Sequence, residues 1–267
     1  MTRTLNIQPR RPGGSSVPAD RRTGGSTVPA DRRTGGSTVP AADRAGSQRG
    51  AATRTARTLA GCGVVARPLF IVAALAQMPA RAGFHPTRDA VSLLSIGHLG
   101  WIQVVNFLVT GALYIACATG MRRLVRSGPG RRWIPALLYV CGAGIAGGGV
   151  FHPDPGDGFP PGTPADASVV SSWHGVLHQV CGSSAFLALI ALCFVFGRRF
   201  ARAGQRRMAA GSRIAGTLFA LALPAAGAPG GALTLCAGVA VGMFWTAFAS
   251  ARIIASSRFE AARNGEN

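Results

Sequence analysis

Lysine is absent from this sequence: all 28 basic residues among its 267 are arginine. Glutamate is nearly absent, with none ahead of Glu260, so a general base in the body of the chain has to be an aspartate or a histidine. The uniform use of arginine resembles a GC-rich coding bias more than a functional choice. Charge as a whole is thin. Charged residues make up 14% of the chain, against about 25% in a soluble domain, and too few remain after residues 1–58 to coat a globule. No CxxC pair occurs either. Cys62, Cys117, Cys141, Cys181, Cys193 and Cys236 sit singly in apolar stretches, which argues against a disulfide framework and suits small apolar packing residues.

What is present is basic and apolar at once. A net charge of +19 would by itself suit a nucleic-acid binder, but a mean hydropathy of +0.28 and 48% hydrophobic residues speak against nucleic acid as a partner. The charge must be segregated, as in a membrane protein.

Residues 1–58 are polar and carry an eleven-residue repeat, GGSSVPADRRT (13–23), GGSTVPADRRT (24–34) and a degraded GGSTVPAADRA (35–45). With one valine per unit, such a segment buries too little apolar surface to offset the entropy of ordering, so a disordered tail is expected. Its arginines suit anionic lipid headgroups; a linker without a specific role, or a start of translation further downstream, are the plainer readings. The first apolar run begins near Leu59, so no secretory signal is expected at Met1.

Six apolar segments follow, at about 60–79, 99–121, 133–151, 174–197, 212–228 and 230–254. Most are close to the ~20 residues with which a helix crosses ~30 Å of hydrocarbon. The fifth is short, and Pro224, Pro229 and Gly230-Gly231 predict a tight re-entry between it and the sixth. Arg67 and Pro68 interrupt the first, and the arginine can snorkel toward the near headgroups if that end is cytoplasmic.

The arginines also set an orientation. Eleven lie in the tail, five in 122–132 and five in 198–207, with Arg213 at the edge and Arg252, Arg258 and Arg263 near the end. By contrast, 80–98 holds only Arg81 and Arg88, and 152–173 and the link near 228 hold none. Basic residues beside helix ends stay cytoplasmic. Both termini are therefore expected on the cytoplasmic side of the plasma membrane, with an even number of spans. The implied plan is a tail (1–58), a six-helix membrane domain (59–255) and a short cytoplasmic tail (256–267).

All five histidines then fall on the outer side. His85 and His98 belong to the first outer loop, His152 closes the third segment, and His174 and His178 open the fourth. Between them, 152–173 contains five prolines along with Asp154, Asp157 and Asp166, too irregular for a long helix or strand. His174 and His178 form an HxxxH pair on one helix face, their rings ~6 Å apart, with Cys181 one turn further in. Two imidazoles so placed can share a divalent metal such as zinc. His98, His152 or Asp154 would complete a set of N and O ligands that leaves a position open to activate water. Hydrogen bonding to water and loop backbone at the membrane boundary accounts for the same residues. Haem would need facing histidines on two helices, and none lie near the inner surface for a second site.

Gln103, Asn106 and Thr110 share one face of the second segment, either as a polar lining beneath the histidines or as interhelical hydrogen bonds, with Gly111 allowing close approach. Gly142, Gly144 and Gly147–Gly149, and the Gly238/Gly242 step, suit close helix packing. No GK[ST] follows the glycine run, so it is not a phosphate loop.

The stretches RAGFHP (81–86), VSLLSIGHLGWIQ (91–103), NF (106–107) and GMRR (120–123) resemble the first half of the domain-of-unknown-function 998 family. FHPDP (151–155) and WHGVLH (173–178) are similar to that family's outer loop and the start of its fourth helix. The resemblance covers about 60–255 and implies a six-helix bacterial integral membrane protein whose activity is not established.

The expected fold is all-α, a six-helix transmembrane bundle with a disordered N-terminal tail and a polar pocket at the outer face. The expected partners are the bilayer and anionic headgroups. Two functions fit this reading: a binding or transport protein, or a metal-dependent hydrolase acting on a lipid or its headgroup.

Overall fold

Hydrocarbon offers no partner to a backbone N–H or C=O, so an apolar segment that crosses it has to satisfy both internally, and the helix does so. In the computed structural model, which describes residues 41–156, 158–164 and 171–263, each apolar segment forms one helix. These are α1 (Ala41–Gln77), α2 (Gly100–Leu124), α3 (Trp133–Val150), α4 (Trp173–Arg202), α5 (Arg206–Ala225) and α6 (Gly231–Arg263). Short 3-10 turns at Met78–Ala80 and Val91–Ser95 shape the first loop. Each of the six helices contains a stretch long and apolar enough to span a bilayer. The protein is a multi-pass membrane protein.

Helix ends differ from expectation where helix-forming residues continue past the apolar stretch. Residues 41–58 were assigned to the disordered tail, yet they belong to α1; alanine and arginine favour the helix, which therefore runs on beyond the apolar core. For the same reason α6 continues to Arg263. The repeats up to residue 40 lie outside the described residues. The predicted break before the sixth segment is present as a turn after Ala225, with Gly230 at φ 77°.

Each helix packs antiparallel on the next, and α6 returns to α1. The α1–α2 seam shows why these residues pair. Gly120 admits the backbone of Ala56 and Ala60, Gly63 admits Cys117, Phe70 meets Phe107 at 5.5 Å, and Gln77 reaches Gln103. On the other side of α2, Gly111 faces Gly142, where a Cβ at Gly111 would come within 2.7 Å of the Gly142 carbonyl oxygen. Gly238 and Gly242 likewise take in Ala222 and Phe219 of α5. The six cysteines are all free, and Cys117, Cys141 and Cys193 are buried as apolar packing residues.

The outward faces carry Val65, Val72, Leu187 and Leu221, each at least half exposed, as a lipid-facing surface requires. Trp101 and Trp173 stand exposed at one end and Trp133 at the other, the levels at which amphipathic rings meet headgroups. Arg57 donates to the Ser257 carbonyl oxygen at 2.6 Å, so the start of α1 and the end of α6 share the arginine-rich end. At the opposite, histidine-bearing end, Phe84, Leu94 and Phe159 form a small core of their own. Phe84 and Phe159 meet edge to face at 5.6 Å, and Arg81 lies over the Phe159 ring. The proline-rich loop is thereby fastened to the first loop.

Candidate functional site

The start of α4 organises the histidine-bearing end. Ser172 caps the helix, its hydroxyl accepting from Gly175 N at 3.1 Å. Asp154 braces this cap by accepting from Ser172 N at 2.9 Å and Ser172 Oγ at 2.5 Å. Both oxygens of the expected ligand are thus engaged with the α4 N-terminus, where a carboxylate also benefits from the helix dipole.

His174 and His178 both address Phe151, in different ways. His178 is buried, and its Nδ1 lies 2.8 Å from the Phe151 carbonyl oxygen and 3.1 Å from that of Gly148. Both partners are acceptors only, so Nδ1 carries a proton and donates to them. His174 packs its ring on Phe151 at 6.0 Å and on Trp173 at 3.7 Å, and its Nδ1 is buried without a partner. His98, His152 and His85 are exposed. Asp157 and Asp166 lie outside the described residues. Among the described residues no group of three or more His, Cys, Asp or Glu side chains comes together at metal-binding distance.

Gln103, Asn106 and Thr110 are buried, and none of them is in the wall of the cavity described below. Gln77 Nε2 donates to Gln103 Oε1 at 2.8 Å, and Asn106 Nδ2 donates to the Phe70 carbonyl oxygen at 3.1 Å and to Gln103 Oε1 at 3.2 Å. These bonds join α2 to α1. Thr110 Oγ1 stays without a partner.

A cavity of about 180 Å³ lies among α1, α2, α3, α4 and α6. Its wall is mostly apolar, with Phe70, Phe107, Phe186 and Leu235 contributing large side chains, and of the expected site residues only His178 reaches it. The cavity therefore lies within the bundle, with Ala90, Val91 and Ser92 of the histidine-bearing end in its wall.

Beside this cavity, close to Tyr114 and Cys141 of its wall, stands Arg67. Arg67 does not snorkel: it is fully buried between α1 and α2. Its guanidinium stands 4.6 Å from the centroid of the Tyr114 ring. Nη1 donates to the Gly63 carbonyl oxygen at 2.5 Å, while Nε and Nη2 have no partner. Tyr114 Oη is likewise buried and lies close to the guanidinium without a well-aligned hydrogen bond. A charge near the middle of a span costs about 3 kcal/mol even on insertion scales, and the one salt bridge among the described residues, Arg88–Asp89 at 2.7 Å, is elsewhere. At the histidine-bearing end, burial lowers the pKa of Arg81, which nonetheless stays charged at neutral pH. One signal in the sequence marked Arg67: a lone arginine in an apolar span, in a chain whose spans hold no carboxylate.

The family model described as a protein of unknown function, DUF998, matches residues 64–252. The chain belongs to the DUF998 family. No curated protein and no solved structure matches it. The DUF998 match takes in nearly all of the bundle, including Arg67, the cavity and both outer-loop motifs, and begins after the repeats.

Proposed function

We propose that this DUF998 protein binds a small apolar or amphipathic molecule in the cavity at the centre of its helix ring. One observation carries the reading: a concave, mainly apolar chamber is walled by five of the six helices, with a few polar side chains, His178, Tyr114, Gln179, Ser92 and Ser183, among them, the usual make-up of a ligand site. In this reading the arginine-rich end faces the cytoplasm of a bacterial plasma membrane and touches anionic headgroups, and the histidine-bearing loops face outward. Transport would use the same chamber.

Gly182 supplies the test, because it lines the cavity and has open space where a Cβ would stand. Gly182→Trp should fill the chamber without disturbing the backbone. Native mass spectrometry of detergent-purified protein should then show a bound small molecule on the wild type and none on the variant; equal occupancy of both would sink the proposal.

A second reading, a metal-dependent hydrolase acting on a lipid or headgroup, is favoured by the partnerless Nδ1 of His174 one helical turn from His178. Those two side chains would hold the ion, with His152, His98 or Asp154 completing the set after a rearrangement of the loop. A stoichiometric ion in purified protein, lost in the His174→Ala, His178→Ala double variant, would support this reading. Protein free of metal at every pH would remove it.

A further inference from the structure

On the facing helices α1 and α2, Arg67 through Nε and Nη2, Tyr114 through Oη, Thr110 through Oγ1, Gln77 through Oε1 and Gln103 through Nε2 are buried without a well-aligned hydrogen bond, and the Tyr114 hydroxyl lies close to the guanidinium. Thr110 and Tyr114 lie one turn apart on α2, and the Arg67 guanidinium rests over the face of the Tyr114 ring. Nε and Nη2 form one edge of the guanidinium, the fork that grips a carboxylate or phosphate with two parallel hydrogen bonds. The other edge is anchored by Nη1 to Gly63, where a side chain would collide with Cys117 and crowd Nη1 at 3.0 Å.

The chain cannot supply the missing acceptor from its own spans. No aspartate or glutamate occurs between Asp43 and Asp89, between Asp89 and Asp154, or between Asp166 and Glu260. Asp89 is held by Arg88 and by the His85 N–H, and Asp154 by Ser172. A buried guanidinium with no carboxylate beside it in a low-dielectric interior calls for an anion. Tyr114 and Cys141, both close to Arg67, are also part of the cavity wall, which is otherwise mostly apolar, and Arg67 itself lies just behind that part of it.

We infer that the cavity takes an acidic amphiphile, with its chain among the apolar side chains and its carboxylate or phosphate head on the Nε–Nη2 edge of Arg67, assisted by Tyr114 Oη. This inference rests on the ligand-binding reading above and adds the chemical class of the ligand. Arg67 is then a binding residue, and its buried charge is neutralised when the site is filled.

The test uses full-length protein in zwitterionic nanodiscs with three probes that share one chain: dodecanoate, dodecyl phosphate and uncharged dodecanol. Wild type should bind at least one of the acids about ten-fold or more tighter than the alcohol, the scale of a charge-assisted pair. Arg67→Gln should bring acid and alcohol to the same affinity. Gly182→Trp should abolish binding of all three. Should Arg67→Gln not yield monodisperse protein, Arg67→Lys decides, because it keeps the charge without the fork and should lower the acid preference several-fold. An undiminished acid preference in either variant overturns the inference while leaving the cavity reading intact, since alcohol binding sensitive to Gly182→Trp would survive. Displacement of dodecanoate by millimolar inorganic phosphate would assign the donors to a free anion and also overturn it. If wild type binds none of the probes, the cavity reading falls first and the inference with it.

Discussion

Gln77 Nε2 donates to Gln103 Oε1 across 2.8 Å, side chain to side chain, at the histidine-bearing end of the α1–α2 seam. Gln103 Oε1 also accepts from Asn106 Nδ2, so a single oxygen joins two donors. Gln103→Leu should lower thermal stability in detergent by about 1 kcal/mol, the scale of interhelical hydrogen bonds in membrane proteins. A double-mutant cycle with Gln77→Leu should return a coupling energy of similar size. Additive losses would mean the bond contributes nothing.

Glycine at 111 is required by the close approach of α2 to α3. A Cβ there would stand 2.7 Å from the Gly142 carbonyl oxygen and 2.8 Å from Ala146 Cβ. Gly111→Ala is expected to cost about 1–3 kcal/mol through overpacking. Gly182→Ala, with nothing within 4 Å, should leave the melting temperature nearly unchanged. Equal shifts in the two variants would contradict the packing described.

Asp154 acts on the start of α4 through Ser172. Ser172→Ala removes both the cap to Gly175 and the partner of Asp154 Oδ1, and should cost about 1 kcal/mol. Hydrogen exchange in the first turn of α4 should rise in this variant and in Asp154→Ala. Unchanged exchange in Asp154→Ala would detach the carboxylate from the cap.

Phe159 joins the two loops of the histidine-bearing end, buried against Phe84 and Leu94. Phe159→Ala should cost about 3 kcal/mol if this small core matches an ordinary one, and should make the 152–173 loop more susceptible to protease. Protease resistance equal to wild type would show the loop to be held by other contacts.

Topology is open to a direct check. Reporter fusions at Gly128 and Gly162 should report opposite sides of the membrane, with Gly128 cytoplasmic. Both reporters on one side would contradict the proposed orientation.

Much of the fold could be read from local pattern. Runs of apolar residues near span length, separated by arginine clusters or by Pro and Gly, marked six helices, and six form. Helix ends were less legible, because residues 41–58 are polar as well as helix-forming, and composition does not say which property prevails. The site was least legible. His174 and His178 do share the start of α4, but the partners of His178 are backbone carbonyls contributed by α3, which no residue pattern announces.

The sequence by itself determined that the chain enters a membrane, how many helices cross it and where the arginines gather, because these depend on transfer energies that add up residue by residue. Only the tertiary structure decided the fate of Arg67 and Gln103. An arginine in an apolar helix can reach for headgroups or turn inward, and the difference lies in whether a neighbouring helix offers space and a ring. Here Gly63 makes the room, Tyr114 supplies the ring, and the unused edge of the guanidinium is left beside a cavity formed only when five helices close around it.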